Sequence, residues 1–282
     1  MKHKLSLIAF TALTSLAAQA ADWSDTSLTY RHGSKFAEPY EGNDISKNVV
    51  GLSHVSGYKY GSNFFNVDML MSDSKDPASA GSKEGAREVY VVYRNTVDLE
   101  KATGKSFKAA GVRGLGVTAG FDFNTKTDAG YNSKKEMWVA GPTLMLDVPG
   151  FLNVSLLALA ESNAPSTATL VAKRYNYDTH YMLGLVWGTP FSLGSVPLSF
   201  EGFANFIGAK GKNEFGGDTK AETLIDMQVM YDMSSAFGAG KNTFKAGLEY
   251  QYWKNKFGND ANGAAGSGAF AKTPMIRAEY HF

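Results

Sequence analysis

The chain has 282 residues, a formal net charge of +1, 30 glycines, 13% aromatic residues and no cysteine. The lack of cysteine excludes a disulfide framework and any thiolate metal or redox centre, and the near-neutral charge excludes the basic surface that nucleic-acid binding needs. A mean hydropathy of −0.22 is the average expected when half of each strand faces lipid and half faces water.

The amino end reads as an export signal. Met1-Lys-His-Lys4 is basic, residues 5–16 are mostly apolar, and Ala18-Gln-Ala20 is a small-residue cleavage site, so removal of residues 1–20 is expected. The apolar run is shorter than the about 20 residues that a helical span needs, and no later stretch is long and apolar enough to be one. Losing Lys2 and Lys4 takes the 28 basic residues to 26, against 27 acidic ones. No Pro- or Ser-rich linker divides residues 21–282, which read as one domain.

Through that domain apolar residues recur at every second position, in segments bounded by turns or polar loops. A strand sends successive side chains to opposite faces, so each segment gains one apolar and one polar face. Twelve are predicted: 26–32, 47–58, 63–73, 88–98, 112–122, 136–147, 151–161, 177–189, 196–207, 223–232, 242–256 and 273–282. In the third, Phe65, Val67, Met69 and Met71 oppose Asn66, Asp68 and Ser72. The second lacks clear alternation, and its faces stay unassigned. The connection 99–111 is longer than a hairpin and has room for a helical turn.

Six long polar connections alternate with five mostly short ones. An even number of strands lets the first pair with the last and leaves no open edge in lipid. The expected fold is therefore all-β: a single antiparallel transmembrane β-barrel of about 12 strands, with short periplasmic turns and long extracellular loops. The final stretch, 273–282, alternates strictly and ends on Phe282, like the closing strand that the barrel assembly machinery reads in outer-membrane proteins. Tyr30, Tyr58, Tyr60, Tyr93, Trp138, Tyr181, Trp187, Tyr231, Tyr250, Tyr252 and Tyr280 are expected in two girdles at headgroup level. A secreted β-sandwich would explain the alternation, but not the export signal, loop asymmetry and terminal Phe together.

Enzyme signatures are absent from the sequence. There is no Gly-x-Ser-x-Gly elbow, and His32, His54, His180 and His281 have no metal-ligand spacing. Gly238-Ala-Gly-Lys-Asn-Thr243 and Gly114-Leu-Gly-Val-Thr-Ala119 are weak matches to phosphate and dinucleotide loops, and neither precedes a helical pattern. Asn259-Asp260-Ala-Asn262 reads as a solvated turn. The reading is of a non-enzyme without cofactor or metal.

Strand phase turns sixteen candidate solute-binding side chains into the lumen: Arg31, Asp68, Glu88, Tyr90, Arg94, Asp122, Glu201, Phe203, Asn205, Asp226, Gln228, Glu249, Gln251, Trp253, Arg277 and Glu279. Opposed charges across a narrow lumen would set a transverse field favouring polar, neutral solutes. Tyr90, Phe203 and Trp253 would offer faces for flat rings or sugars.

Several stretches carry a family resemblance. Trp23-Ser-Asp-Thr-Ser-Leu-Thr-Tyr-Arg31, Phe36-Ala-Glu-Pro39, Asn43-Asp-Ile-Ser-Lys-Asn48, Phe64-Phe-Asn-Val-Asp68, Met71-Ser-Asp-Ser-Lys-Asp-Pro77, Ala140-Gly-Pro-Thr143, Ser199-Phe-Glu-Gly-Phe-Ala-Asn205, Gly247-Leu-Glu-Tyr-Gln-Tyr-Trp253 and Arg277-Ala-Glu-Tyr-His-Phe282 resemble the Tsx-type nucleoside-specific channels, in their OmpK-like branch. The resemblance implies a monomeric outer-membrane barrel that passes nucleosides, with some members serving as bacteriophage receptors. It carries over no residue-level contact, so the sixteen positions rest on phase alone. Expected partners are nucleosides, outer-membrane lipid and lipopolysaccharide, and the assembly machinery; no nucleic acid is among them. The rival expectation is a surface receptor or structural barrel acting through loops 33–44 and 208–222.

Overall fold

The computed structural model describes residues 21–166 and 173–282, so the predicted export signal lies outside the described residues. Twelve long strands follow one another around a closed antiparallel ladder. They are β1 (Trp23–Phe36), β2 (Ile45–Tyr58), β3 (Gly61–Ser72), β4 (Arg87–Asp98), β5 (Val112–Thr127), β6 (Glu136–Leu146) and β7 (Phe151–Asn163), then β9 (His180–Leu193), β10 (Val196–Ile207), β11 (Glu222–Asp232), β12 (Phe244–Lys254) and β13 (Phe270–His281). The two-residue β8 (Tyr175–Asn176) only extends the end of β7. Pairing of β1 with β13 and of β6 with β7 closes the ring, so the barrel has no free edge.

Glycine permits the coiling that closure demands. A Cβ on Gly120 would lie 1.9 Å from the Tyr93 carbonyl oxygen, and one on Gly141 2.0 Å from that of Leu156. Neighbouring strands therefore approach at these points more closely than any side chain allows. At the turn end of the barrel, α1 (Leu99–Thr103) fills the long connection after β4, as the spacing allowed. The Asp98 carboxylate accepts from the Glu100 and Lys101 amides, and Gly104 ends the helix in the left-handed region.

Several strands run further than their local pattern predicts. β1 continues to Phe36 through a bulge after Gly33, and β5 continues to Thr127. Residues 123–127 look like loop because they are polar, but their inward members Asn124 and Lys126 meet carboxyl groups inside the barrel. β9 begins at His180 rather than at 177. Register also resolves β2, placing Lys47, Val49 and Gly51 on the same face as Arg31 and Asp68.

The outer wall is apolar. Leu28, Leu248 and Ile276 are 47%, 69% and 56% exposed, as lipid-facing side chains should be. Tyr93, Phe121, Phe123 and Trp138 cluster towards the loop end, and Phe237, Phe244, Tyr280 and Phe282 at the turn end. Tyr58 departs from the expected girdle. It is 2% exposed, because its hydroxyl and Asn95 bond each other beneath the short turns. Inside, two apolar clusters line the loop half of the barrel: Met137, Val139, Leu157, Leu159 and Met182 on one side, and Phe36, Ile45, Val49 and Met275 on the other.

Candidate channel lumen

Residues opposite one another in adjacent strands share a face, so the ladder assigns every side chain. Asp226 pairs with Phe203 and Gln251, Gln228 with Glu201 and Glu249, and Leu224 with Asn205 and Trp253. Lys245 of β12 pairs with Glu279, and Arg277 pairs with Arg31. Asp68 pairs with Tyr90, and Glu88 and Arg94 share the face of Tyr90, as does Asp122 opposite Val92. All sixteen phase-selected positions therefore point into the barrel, although what they bind is a separate question.

They are not scattered around the wall. Arg31 reaches Asp68 two strands away and, at 3.5 Å, Glu249 on the other side. Arg277 donates to Glu249 at 2.8 Å and to Glu279 at 2.6 Å. Gln228 donates to Glu201 at 3.3 Å and to Glu279 at 3.5 Å, and Gln251 to Asp226 at 3.0 Å. A separate group joins Arg94 to Asp122 (2.5 Å), Tyr90 to the same carboxylate (3.2 Å), and Asn124 to Glu88 (2.6 Å). Burial is graded along the belt. The Glu249 side chain is fully buried between its two arginines, whereas that of Glu201 is 30% exposed. Buried carboxylates keep their charge only when so paired.

The opposite wall differs in kind. Between the level of Asp122 and Glu161 and the turn end, the inward residues of β5 to β9 carry no charge. Thr96, Thr118, Thr143 and Ser155 instead form a chain of hydroxyl contacts of 2.8, 2.6 and 2.8 Å across four strands. The expected field thus comes from a charged wall facing a neutral one. Acids and bases pair along the wall rather than across it.

At the loop end the mouth is roofed. The long loops bond in a complete ring: Lys75 to Asp44, Ala129 to Pro77, Asn132 to Ser166, Asp178 to Lys210, Lys220 to Gly258, and Tyr40 to Ala265. Beneath the ring, Glu38 accepts from Lys47 at 2.5 Å and from Lys256 at 3.1 Å. Lys126 bonds Asp76 at 3.1 Å and Asp128 at 2.7 Å. Burial pushes the Glu38 carboxyl up, but Lys256, Lys47 and Lys126 outweigh it and hold Glu38 well below the usual carboxylate range. A second knot gathers Lys210 and, at longer range, Lys135 and His180 around Glu161.

The sequence reading missed these roof residues. It also missed Lys245 at the turn end of the belt, which strand phase would have found, since it shares the Glu249 face of β12 and reaches Glu201. Nothing local marks Glu38, Asp76 or Lys256, which belong to loops. The segment 259–262 is a turn, with the Asn262 amide donating to Asp260, and no cluster suited to a metal ion occurs among the described residues. An open recess lined by Ala119, Trp138, Ala140, Ala158 and Ala160 lies on the outer wall and takes no part in the lumen.

No protein-family model matches the chain, and no curated protein matches it in sequence. Among solved structures it is similar to the translocator domain of autotransporter NalP from Neisseria meningitidis, with a TM-score of 0.45 and 11% identity over 100% of this chain and 96% of that one. It is also similar to the NanC porin, with a TM-score of 0.43 and 11% identity over 92% and 99%. The transport unit of autotransporter AIDA-I from Escherichia coli gives 0.40 and 12% over 94% and 92%. The chain is a closed antiparallel β-barrel of the membrane-spanning type. The closed ladder pairs the strand backbones without a free edge and the outer wall is apolar, the two conditions a barrel in lipid must meet.

Proposed function

We propose that this barrel is a channel for passive, substrate-selective diffusion of nucleosides or similar small polar solutes. The observation that carries the reading is the two-sided lumen. An ionised belt from Arg31 and Asp68 to Glu201 and Arg277 faces a neutral wall of hydroxyls and glycines. A solute with a polar edge and a flat apolar face would find a partner for each, with Phe203 and Trp253 on the belt side. The motif likeness to the Tsx-type channels supports nucleosides as the solute class. Transport of this kind needs no covalent step. Flux follows the gradient, and weak binding in the lumen raises it at low concentration.

The test is uptake of radiolabelled adenosine and thymidine, against sucrose, into liposomes carrying the refolded protein. Saturable nucleoside uptake well above that of sucrose is expected, with loss of saturation in Glu201→Gln and Phe203→Ala. Equal uptake of all three solutes would reduce the protein to a general pore. A folded barrel that passes none of them would favour the receptor reading.

A further inference from the structure

The connection from β12 to β13 leaves the rim and turns inward. Its 3-10 turn, Lys256–Gly258, places Lys256 beneath the loop ring, only 4% exposed, where its ammonium bonds Glu38 and the Ala37 carbonyl at 2.8 Å. Phe257 and Gly258 then line one enclosed space together with Lys135 and Met137. Met137 lies at the start of β6 and Lys135 immediately precedes that strand, and β6 stands opposite β13 in the ring of twelve strands. The turn therefore crosses the mouth.

Its backbone is held there against local preference. Asn255 and Phe257 both sit in the left-handed region, at φ 54° and 59°, which a phenylalanine rarely occupies. Such conformations persist where surroundings impose them, and they gather at clamps and switches. The restraints are mainly polar, and some lie within the connection: the Asn259 side chain donates to the Lys256 carbonyl at 3.0 Å and the Ala261 amide to the Asn255 side chain at 3.1 Å. Apart from Lys256, the Gly258 amide donates to Glu222 at 3.0 Å, the Lys220 amide donates to the Gly258 carbonyl at 2.8 Å, and Asn255 donates to the Ala221 carbonyl at 2.8 Å. The apolar support is the Trp253 ring, 4.8 Å from that of Phe257.

We infer that the Lys256–Gly258 turn is the constriction that decides which solutes enter the lumen, with Lys256 as its latch. The inference rests on the channel reading. Phe257 sets the width of the passage, and Glu38 anchors the latch on the opposite loop. Among the described residues, Lys256 is the one charged group that ties this strained turn to the opposite loop, so its removal frees the turn on that side. Lys47 and Lys126 still neutralise Glu38, so the wall beneath stays paired.

Single-channel conductance in planar bilayers tests this, with folding checked by heat-modifiable gel migration. Lys256→Met should raise conductance several-fold and admit sucrose. Phe257→Ala, which removes bulk but no charge, should raise it as well and covers the case in which Lys256→Met fails to fold. A Cβ on Gly258 would lie 3.2 Å from that of Thr219, within a few tenths of an ångström of disulfide spacing once the left-handed turn adjusts to a side chain, and the chain has no cysteine of its own. Thr219→Cys with Gly258→Cys in the Lys256→Met background should return conductance to the wild-type level when oxidised and release it on reduction. Unchanged conductance in Lys256→Met and Phe257→Ala, with nucleosides still passing, would overturn the constriction and leave the channel reading intact. No conductance from any folded form would overturn both.

Discussion

Glu38 is the residue on which the roof turns. Three ammonium groups from β2, β5 and the β12–β13 loop converge on one carboxylate that local sequence places in an unremarkable loop. Its pKa lies well below the ordinary 4.5, so the stability it adds is fully present above pH 4.5 and is lost as pH falls through the lower folded value. Protection of roof amides such as Tyr40, measured by hydrogen exchange and corrected for intrinsic rates, should be equal at neutral and mildly acid pH and collapse only well below pH 4.5. In Glu38→Gln that protection should be lost at neutral pH, since removing one partner of a buried ion pair costs about 3–5 kcal/mol. Strand exchange in the barrel below should stay slow. Protection surviving in Glu38→Gln would mean that the inter-loop hydrogen bonds alone hold the roof. At this scale the inward positions were legible, because alternation is a property of neighbouring residues. Their partners were not, since Arg31 and Glu249 are brought together only by closure of the ring.

The strands reveal their glycines' purpose only in pairs. Gly120 and Gly141 lie inside alternating segments, and each marks a close approach of two backbones. Gly120→Ala should therefore destabilise the barrel by about 1–3 kcal/mol, the range for forced overpacking. Gly42→Ala, with nothing within 4 Å of its new Cβ, should be neutral. Urea unfolding in detergent micelles compares the two, and equal midpoints would show that β4 and β5 can part at that point without cost. Element type and number were readable for all twelve long strands. Their ends were not, where polar residues such as Asn124 and Lys126 continue a strand inward to ionic partners. A polar run signals loop only when water is the sole solvent for it, and here the lumen supplies partners.

At the scale of the molecule, the outer wall separates a membrane barrel from a soluble one. Leu248 stands midway along β12, between Val229 and Ile276 on the same outer face. Leu248→Arg should cost about 2–4 kcal/mol in lipid, where a charge at the bilayer midplane is unsatisfied. Equilibrium unfolding in bilayers measures it, and a shift near zero would place that face in water. The sequence by itself determined the number of long strands, their alternating faces and the alternation of long and short connections, because each is written in the spacing of neighbouring residues. Only the tertiary structure decided that the acids and bases pair along one wall, that six loops bond into a ring, and that Lys256 lies beneath it. Those contacts join residues as far apart in the chain as Tyr40 and Ala265, and their geometry comes from closure of the barrel rather than from any local pattern.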